Sequence, residues 1–313
     1  MQTMKKNKHQ SGFALVILIW ILSLLSLMAA SFTQTIRREI SISNSLKINA
    51  SGLALAETWV MISGLMLKHA NPQKRWLGNG TIYHANLNSG EIRVQVISEI
   101  GKVDINTAKD ELLKAVINEV ISDDKQQNAI FEAILDWRDA DDDQRPSGAE
   151  ASQYSKSGLI YQPSNQAFQS IEELQLVLGI NNQIFAELED FITIYSEKTE
   201  VNYGLASEPL LRAILNQYQK QNIHDIELEN QLLNRQKNFK QLEELNDNAE
   251  IYTIIVEARI NDGAGAVIKA VIKPEQQSSL IFDWRYGQQR YSLFDERFKN
   301  QVMVFQNEFT NND

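Results

Sequence analysis

The chain has no cysteine, and only five prolines and four histidines among 313 residues. Without cysteine there can be no disulfide, no thiolate nucleophile and no zinc site built on sulfur. That composition is compatible with a periplasm. No Gly-x-Ser-x-Gly, no His-Glu-x-x-His and no phosphate-binding loop occurs, so the sequence marks of the common hydrolases and nucleotide-binding enzymes are missing. The chain reads as a non-enzyme with no small-molecule substrate. Positive charge is also scarce: the formal net charge is −10, which speaks against a nucleic-acid or anionic-lipid surface. No low-complexity run is present.

What the chain does have is an apolar head. Behind Lys5, Lys6, Lys8 and His9 stand Ser11, Gly12 and Phe13, and the eighteen residues 13–30 are apolar apart from Ser23 and Ser26. The next charge is Arg37. A helix of about 20 such residues crosses a bilayer. Basic flanks stay cytoplasmic, which puts the bulk of the chain on the far side. A cleaved secretory signal is the plain alternative, with Met28-Ala29-Ala30-Ser31 as its cleavage site. The sequence beyond that site argues otherwise. Residues 31–69 contain no proline and space Ile36, Ile40, Leu46, Leu53, Leu55, Val60, Leu65 and Leu67 in a helical pattern, which Asn71-Pro72 ends. One helix over 13–68 would be about 85 Å long at the rise of an α-helix.

After Pro72 the period changes. Residues 81–85 and 91–97 read as a β-hairpin, and residues 250–260 and 266–272 as another around Asn261-Asp262-Gly263-Ala264-Gly265, with a further short strand at 280–286. Helical signals fill the interval from Asp104 to about Asn248. Two-stranded pieces are marginal alone, so one antiparallel sheet, packed on the N-terminal helix and interrupted by a helical insertion, is the economical reading. The insertion carries a weak repeat. Residues 103–117 align with 201–215, matching Ala108 with Ala206, Leu112 with Leu210 and Leu113 with Leu211, and residues 168–174 match 239–245. Thr107 and Ser207 suit the N-caps of the two leading helices.

One dense acidic constellation occurs, within 136–150: Asp136, Asp139, Asp141, Asp142, Asp143 and Glu150, with Arg138, Arg145, Pro146 and Gly148 among them. Carboxylates crowded on a loop repel unless a cation sits among them, and calcium takes six to eight oxygens in flexible geometry. The spacing is not that of an EF-hand. His69, His84 and His224 are too distant to suggest zinc. The residues leave two readings open: a cation site, or a solvated loop with Asp139 or Asp141 paired to Arg138 or Arg145. A metal-dependent hydrolase would need water-activating geometry and usually histidines.

The head, Gly12-Phe13 and the unbroken apolar helix resemble the N-terminal signal of type IV pilins and pseudopilins. In that family a prepilin peptidase cuts after the glycine, here Gly12, and the new terminal residue, here Phe13, is methylated. Most members have a glutamate five residues into the mature chain; this one has Ile17. A carboxylate in a bilayer is costly unless paired. The K-type minor pseudopilin of type II secretion lacks it, as a filament-tip subunit with nothing above it can. The phrases Val-Asp-Ile-Asn-Thr-Ala (103–108), Ile-Leu-Asp-Trp-Arg-Asp-Ala-Asp-Asp (134–142), Gly-Ala-Glu (148–150) and Phe-Gln-Ser-Ile-Glu-Glu-Leu (168–174) resemble the same K-type family in the same order.

That resemblance implies an α+β fold: a pilin-like long N-terminal helix on an antiparallel sheet, with a large α-helical domain of two related helix-hairpin-helix or SAM-like subdomains inserted between strands. The implied organisation is a cleaved leader (1–12), a transmembrane filament helix (13–36), the pilin-like helix and first strands (37–103), the insertion (104–248, as 104–196 and 201–248) and the remaining strands and tail (249–313). It implies a place in the inner membrane with the N-terminus cytoplasmic and the C-terminal domain periplasmic, then at the pseudopilus tip. The implied partners are the I- and J-type minor pseudopilins, other pseudopilins and prepilin peptidase. Calcium is implied in the globular region, with Asp136, Asp139, Asp141 and Glu150 as ligands, Asp142 or Asp143 next, and Tyr154 adding a hydrogen bond. Two other functions compete. Residues 105–113 resemble the opening of helix-hairpin-helix DNA-binding modules, but residues 104–195 carry 18 acidic and 6 basic side chains, a net of −12, which repels phosphate. A generic single-pass periplasmic scaffold is the remaining possibility.

Overall fold

In a computed structural model of the chain, residues 11–237, 250–261, 265–275, 278–287 and 290–305 are described. The basic head and most of the expected leader lie outside them, as does the second half of the second repeat, residues 239–245. The chain forms two compact units, Met1–Ser51 and Gly52–Asp313. One helix, α1 (Ser11–Leu67), contributes to both.

Within the first unit α1 is helical throughout and its large apolar side chains are exposed, from Phe13 to Leu46. By length and composition it is the one helix among the described residues able to cross a membrane. Its hydroxyls bond within the helix: Ser23, Thr33, Thr35 and Ser45 donate to the carbonyls of Ile19, Ala29, Ser31 and Ser41, at 2.8–3.1 Å. This back-bonding gives Ser23 a partner within the apolar run and does the same for Thr33, Thr35 and Ser45 beyond it.

The second unit is built on a six-stranded sheet. Its strands are β1 (Asn79–Leu87), β2 (Gly90–Ser98), β5 (Tyr252–Ile260), β6 (Gly265–Pro274), β7 (Ser279–Tyr286) and β8 (Val302–Val304), and a separate ladder pairs β3 (Val103–Asp104) with β4 (Ile192–Thr193). The order across the large sheet is β7-β6-β5-β2-β1-β8. Both expected hairpins are present, and β2 pairs with β5 antiparallel from Gly90↔Ile260 to Ser98↔Tyr252. The sheet is antiparallel except at its edge, where β8 runs parallel to β1. Three residues long, β8 has too little pattern to be read from sequence.

Strand alternation sorts the sheet's two faces. Ile92, Val94, Val96, Ile254, Val256, Ile268, Ala270 and Ile272 form one core with Ala56, Trp59, Val60 and Leu67 of α1. The opposite face is polar and receives the insertion. Lys269 of β6 and Arg285 of β7 bind Glu189 at 2.5 and 2.8 Å, and Arg285 also reaches Glu172. Burial would raise the Glu189 pKa, but Lys269 and Arg285 outweigh it and hold the carboxyl below its ordinary range. A C-terminal strap follows on the same face: Glu257 accepts from the hydroxyl of Ser292 and the amide of Leu293.

The insertion runs from β3 through α2 (Asp110–Val120), α3 (Asp124–Arg138), α4 (Ala151–Lys156), α5 (Asn182–Leu188), α6 (Glu208–Lys220) and α7 (Ile226–Lys237). It has its own core, including Leu112, Leu113, Ile134, Trp137, Tyr154, Leu174, Leu210 and Leu211. The leading helices of the two repeats, α2 and α6, pack on each other, and the matched leucines are buried in both. Ser207 caps α6 by accepting from the Leu210 amide. Thr107 does not cap α2: that helix starts at Asp110 behind Lys109, and the Thr107 hydroxyl donates to the Lys198 carbonyl. Asp104 takes the organising part instead. Buried, it accepts from the amides of Asn106, Thr107 and Glu197 and from the Ser196 hydroxyl, tying the two ends of the first repeat together.

Where the chain leaves β2 for the insertion, Lys102 is buried with Glu99 at 2.8 Å and bonds the Thr253 hydroxyl of β5 at 2.9 Å. Breaking one side of such a pair strands a buried charge. Lys102→Met is expected to lower unfolding stability by about 3–5 kcal/mol. Pairing it with Glu99→Leu should restore most of the loss, as read by urea denaturation of the detergent-solubilised chain.

Candidate functional site

The acidic constellation is assembled by the end of α3 and the loop that follows it. Asp123 caps the start of α3, and the apolar face of the helix buries Ile130, Ile134 and Trp137, which fixes its final turn. Asp136 lies in that turn with no exposed surface, and Asp139 is the C-cap. Carboxylates at a helix C-terminus oppose the macrodipole, so this end of α3 needs a cation. Arg145 supplies it. Its guanidinium binds Asp136 at 2.6 Å and also Asp139, while its backbone amide bonds the second Asp136 oxygen at 3.4 Å. Burial works against the Arg145 charge, but the hydrogen bonds to the two aspartates outweigh it and raise its pKa. Gly148 lets the loop pass close by: a Cβ there would stand 2.0 Å from an Asp136 oxygen.

Glu150 closes the loop and precedes α4. It is only 5% exposed; it forms a capping box with Gln153 at the start of α4, and neither carboxylate oxygen has a close hydrogen-bond partner. Its pKa is pushed up from 4.5 to about 7, first by burial and then by the charges of Asp136, Asp139, Asp142 and Asp141. Asp139 likewise keeps one buried oxygen without a partner. Asp141 and Asp142 are exposed: Asp141 accepts from the Asp143 amide, and Asp142 accepts from Asn165 at 2.9 Å.

Asp136 and Asp139 are thus joined through Arg145, and Glu150 feels both. Tyr154 does not serve the cluster. It is fully buried, and its hydroxyl accepts from the Leu178 amide. Arg138 points elsewhere too, donating to the Ile105 carbonyl. One contributor escaped the sequence reading. Asn165 adopts a left-handed backbone (φ 50°), donates to the Asp141 carbonyl and to Asp142, and leaves its own side-chain oxygen buried without a partner. It lies beyond a turn in sequence, so no spacing rule links it to the acidic run.

Among the described residues no group of three His, Cys, Asp or Glu is arranged to hold a metal ion. The guanidinium already occupies part of the carboxylate cluster. The unpartnered atoms beside it are Asp139 Oδ1, both Glu150 oxygens and Asn165 Oδ1. All are hard oxygen donors of the kind calcium takes.

Asn106 both donates to and accepts from the Phe168 backbone, and Thr107 holds Lys198.

A family model described as "Type II secretion system (T2SS), protein K" matches residues 86–197, the stretch that holds the acidic loop. A type II secretion system protein K of Escherichia coli strain K12 is 24% identical over 237 residues, covering 66% of this chain and 71% of that protein. The chain is thus similar to the protein K family of type II secretion systems, most specifically over residues 86–197. The type II secretion system protein K of Dickeya chrysanthemi is 29% identical over 96 residues, 29% of this chain and 26% of that one. The fold matches a chain from the crystal structure of the GspK-GspI-GspJ complex of enterotoxigenic Escherichia coli. The TM-score is 0.50 at 16% identity, over 81% of this chain and 99% of that one.

In the folded chain burial and the neighbouring carboxylates keep the proton on Glu150 at a pH where the unfolded chain has lost it. Without a bound cation this group therefore costs stability as pH rises from about 4.5 to about 7. Glu150→Gln should remove that loss. In chelator, the Tm of the variant relative to the parent is expected to climb between pH 5 and pH 8, as followed by circular dichroism.

Proposed function

We propose that the chain is a minor pseudopilin that assembles with I- and J-type minor pseudopilins to initiate and cap the short filament driving protein export through the outer membrane. The observation that carries this is the protein K match over residues 86–197, on a chain whose α1 is long and apolar enough to span a bilayer. The I- and J-type partners are taken from the named composition of the complex whose fold it shares. The apolar helix and the family fit anchoring in the inner membrane; the finer reading keeps the N-terminus cytoplasmic and the sheet and insertion periplasmic. Ile17, where most pilins have a carboxylate, suits a subunit with none above it.

The reading includes cleavage after Gly12 and methylation of Phe13, which puts the new amine at the start of α1. Amino-terminal mass spectrometry of the membrane-extracted protein tests it. The expected product begins at Phe13 with one added methyl group. Gly12→Val should leave the precursor intact and abolish export. A mature end at Met1 or near Ser31 would overturn the assignment.

Calcium belongs to the same proposal, with Asp136, Asp139, Glu150, Asp141 and Asp142 as its ligands. The unpartnered oxygens of Asp139 and Glu150 support it. When bound, the ion would supply the positive charge that this loop otherwise draws from Arg145. Calcium should raise the Tm of the wild-type chain and leave that of Asp139→Asn/Glu150→Gln unchanged, as read by differential scanning fluorimetry in detergent.

A further inference from the structure

We infer that the insertion is a separately packed body latched to the sheet by an ion-pair clasp centred on Glu189, and that it swings about the crossing at Gly101 when the clasp opens. The two bodies do not share a core: the buried apolar side chains of the insertion and those of the sheet form separate clusters. Among the described residues, the ion pairs across the boundary are sorted by sign. Carboxylates such as Glu172, Glu189 and Asp190 come from the insertion, and the cations Lys269, Arg285 and Arg290 from the sheet and the strap. A ring contact also crosses the boundary, Tyr195 against Phe282 at 5.7 Å, yet Phe282 keeps 48% of its surface in solvent.

Ion pairs of this kind fix an orientation but add little net stability, because desolvation of the charges offsets their attraction. Each body is held together internally by apolar burial, of which the boundary has little. Opening the boundary therefore costs far less than unfolding either core. The Glu189 side chain is four-fifths buried between Lys269 and Arg285, but the rim is wet: Glu172 is 44% exposed and Asp190 54%. Water enters from that rim as the clasp parts. The crossing is built differently. Lys102 has its buried partners Glu99 and Thr253, and the Asn202 amide donates to the Ile100 carbonyl at 2.8 Å. Gly101 lies so close to Leu205 that a Cβ would stand 2.7 Å from its carbonyl. A tightly packed crossing and a boundary held by charge together make a hinge.

Because the chain has no cysteine, two introduced ones give a clean pair of spin labels. Ser155→Cys on α4 and Ser89→Cys in the β1–β2 turn, both exposed, report the position of the insertion against the sheet. Double electron-electron resonance of the labelled, detergent-solubilised full chain should give one main distance, with about a tenth or less of the molecules at a second. Glu189→Lys sets a third positive charge between Lys269 and Arg285 and should shift most molecules to the second distance. Glu189→Gln removes the charge but keeps the shape. It should populate the second distance to an intermediate extent, and it covers the case in which the lysine variant does not fold. Circular dichroism of each variant checks that the helices of the insertion persist. A folded Glu189→Gln chain that keeps the single wild-type distance overturns the inference. So does a second distance that appears only with loss of helical signal, since the insertion then unfolds instead of swinging.

Discussion

Everything beyond the first unit depends on the ladder between β2 and β5. These strands pair continuously from Gly90↔Ile260 to Ser98↔Tyr252, although the whole helical insertion separates them in sequence. Neither hairpin would be stable alone. Joined, they form one sheet whose apolar face buries Trp59 and Val60 of α1 and whose polar face holds the insertion by Glu189 and Glu172. The Glu99-Lys102-Thr253 cluster sits where the insertion departs, with Thr253 donated by the strand at which the chain returns. The join is thus closed by side chains from both of its ends.

The acidic loop obeys a second constraint, charge at a helix end. Asp136 is committed to burial by its place between Leu135 and Trp137 on α3. Once buried it needs positive charge, and the loop supplies Arg145 from nine residues downstream. What remains uncompensated collects on Glu150, whose carboxyl is held protonated far above its usual range.

Much of this was legible in the sequence because periodicity and punctuation report burial directly. The stretches that became β2, β5 and β6 alternate, Ser207 caps where a serine should, and Asn71-Pro72 follows closely on the end of α1. Matched leucines at 112 and 210 mark the packed helices of a repeat. What escaped was decided by tertiary contact. Thr107 looked like a cap but is drawn to Lys198, across the β3–β4 ladder, a ladder too short to leave a pattern. Of the acidic site, the carboxylates could be listed but not their partners. Arg145 was one of two arginines equally placed in sequence, and Asn165 comes in from a distant turn.

The serines and threonines of α1 have a consequence of a different kind. Because Ser23 and Thr33 close their hydroxyl bonds on the preceding turn, these groups ask no hydrogen bond of their surroundings, and the stretch 13–30 exposes mainly hydrocarbon. Exchange of lipid tails for the apolar flanks of neighbouring helices breaks neither of these bonds. Such a rod is indifferent to which greasy medium encloses it, and can be passed from one to the other by packing forces alone.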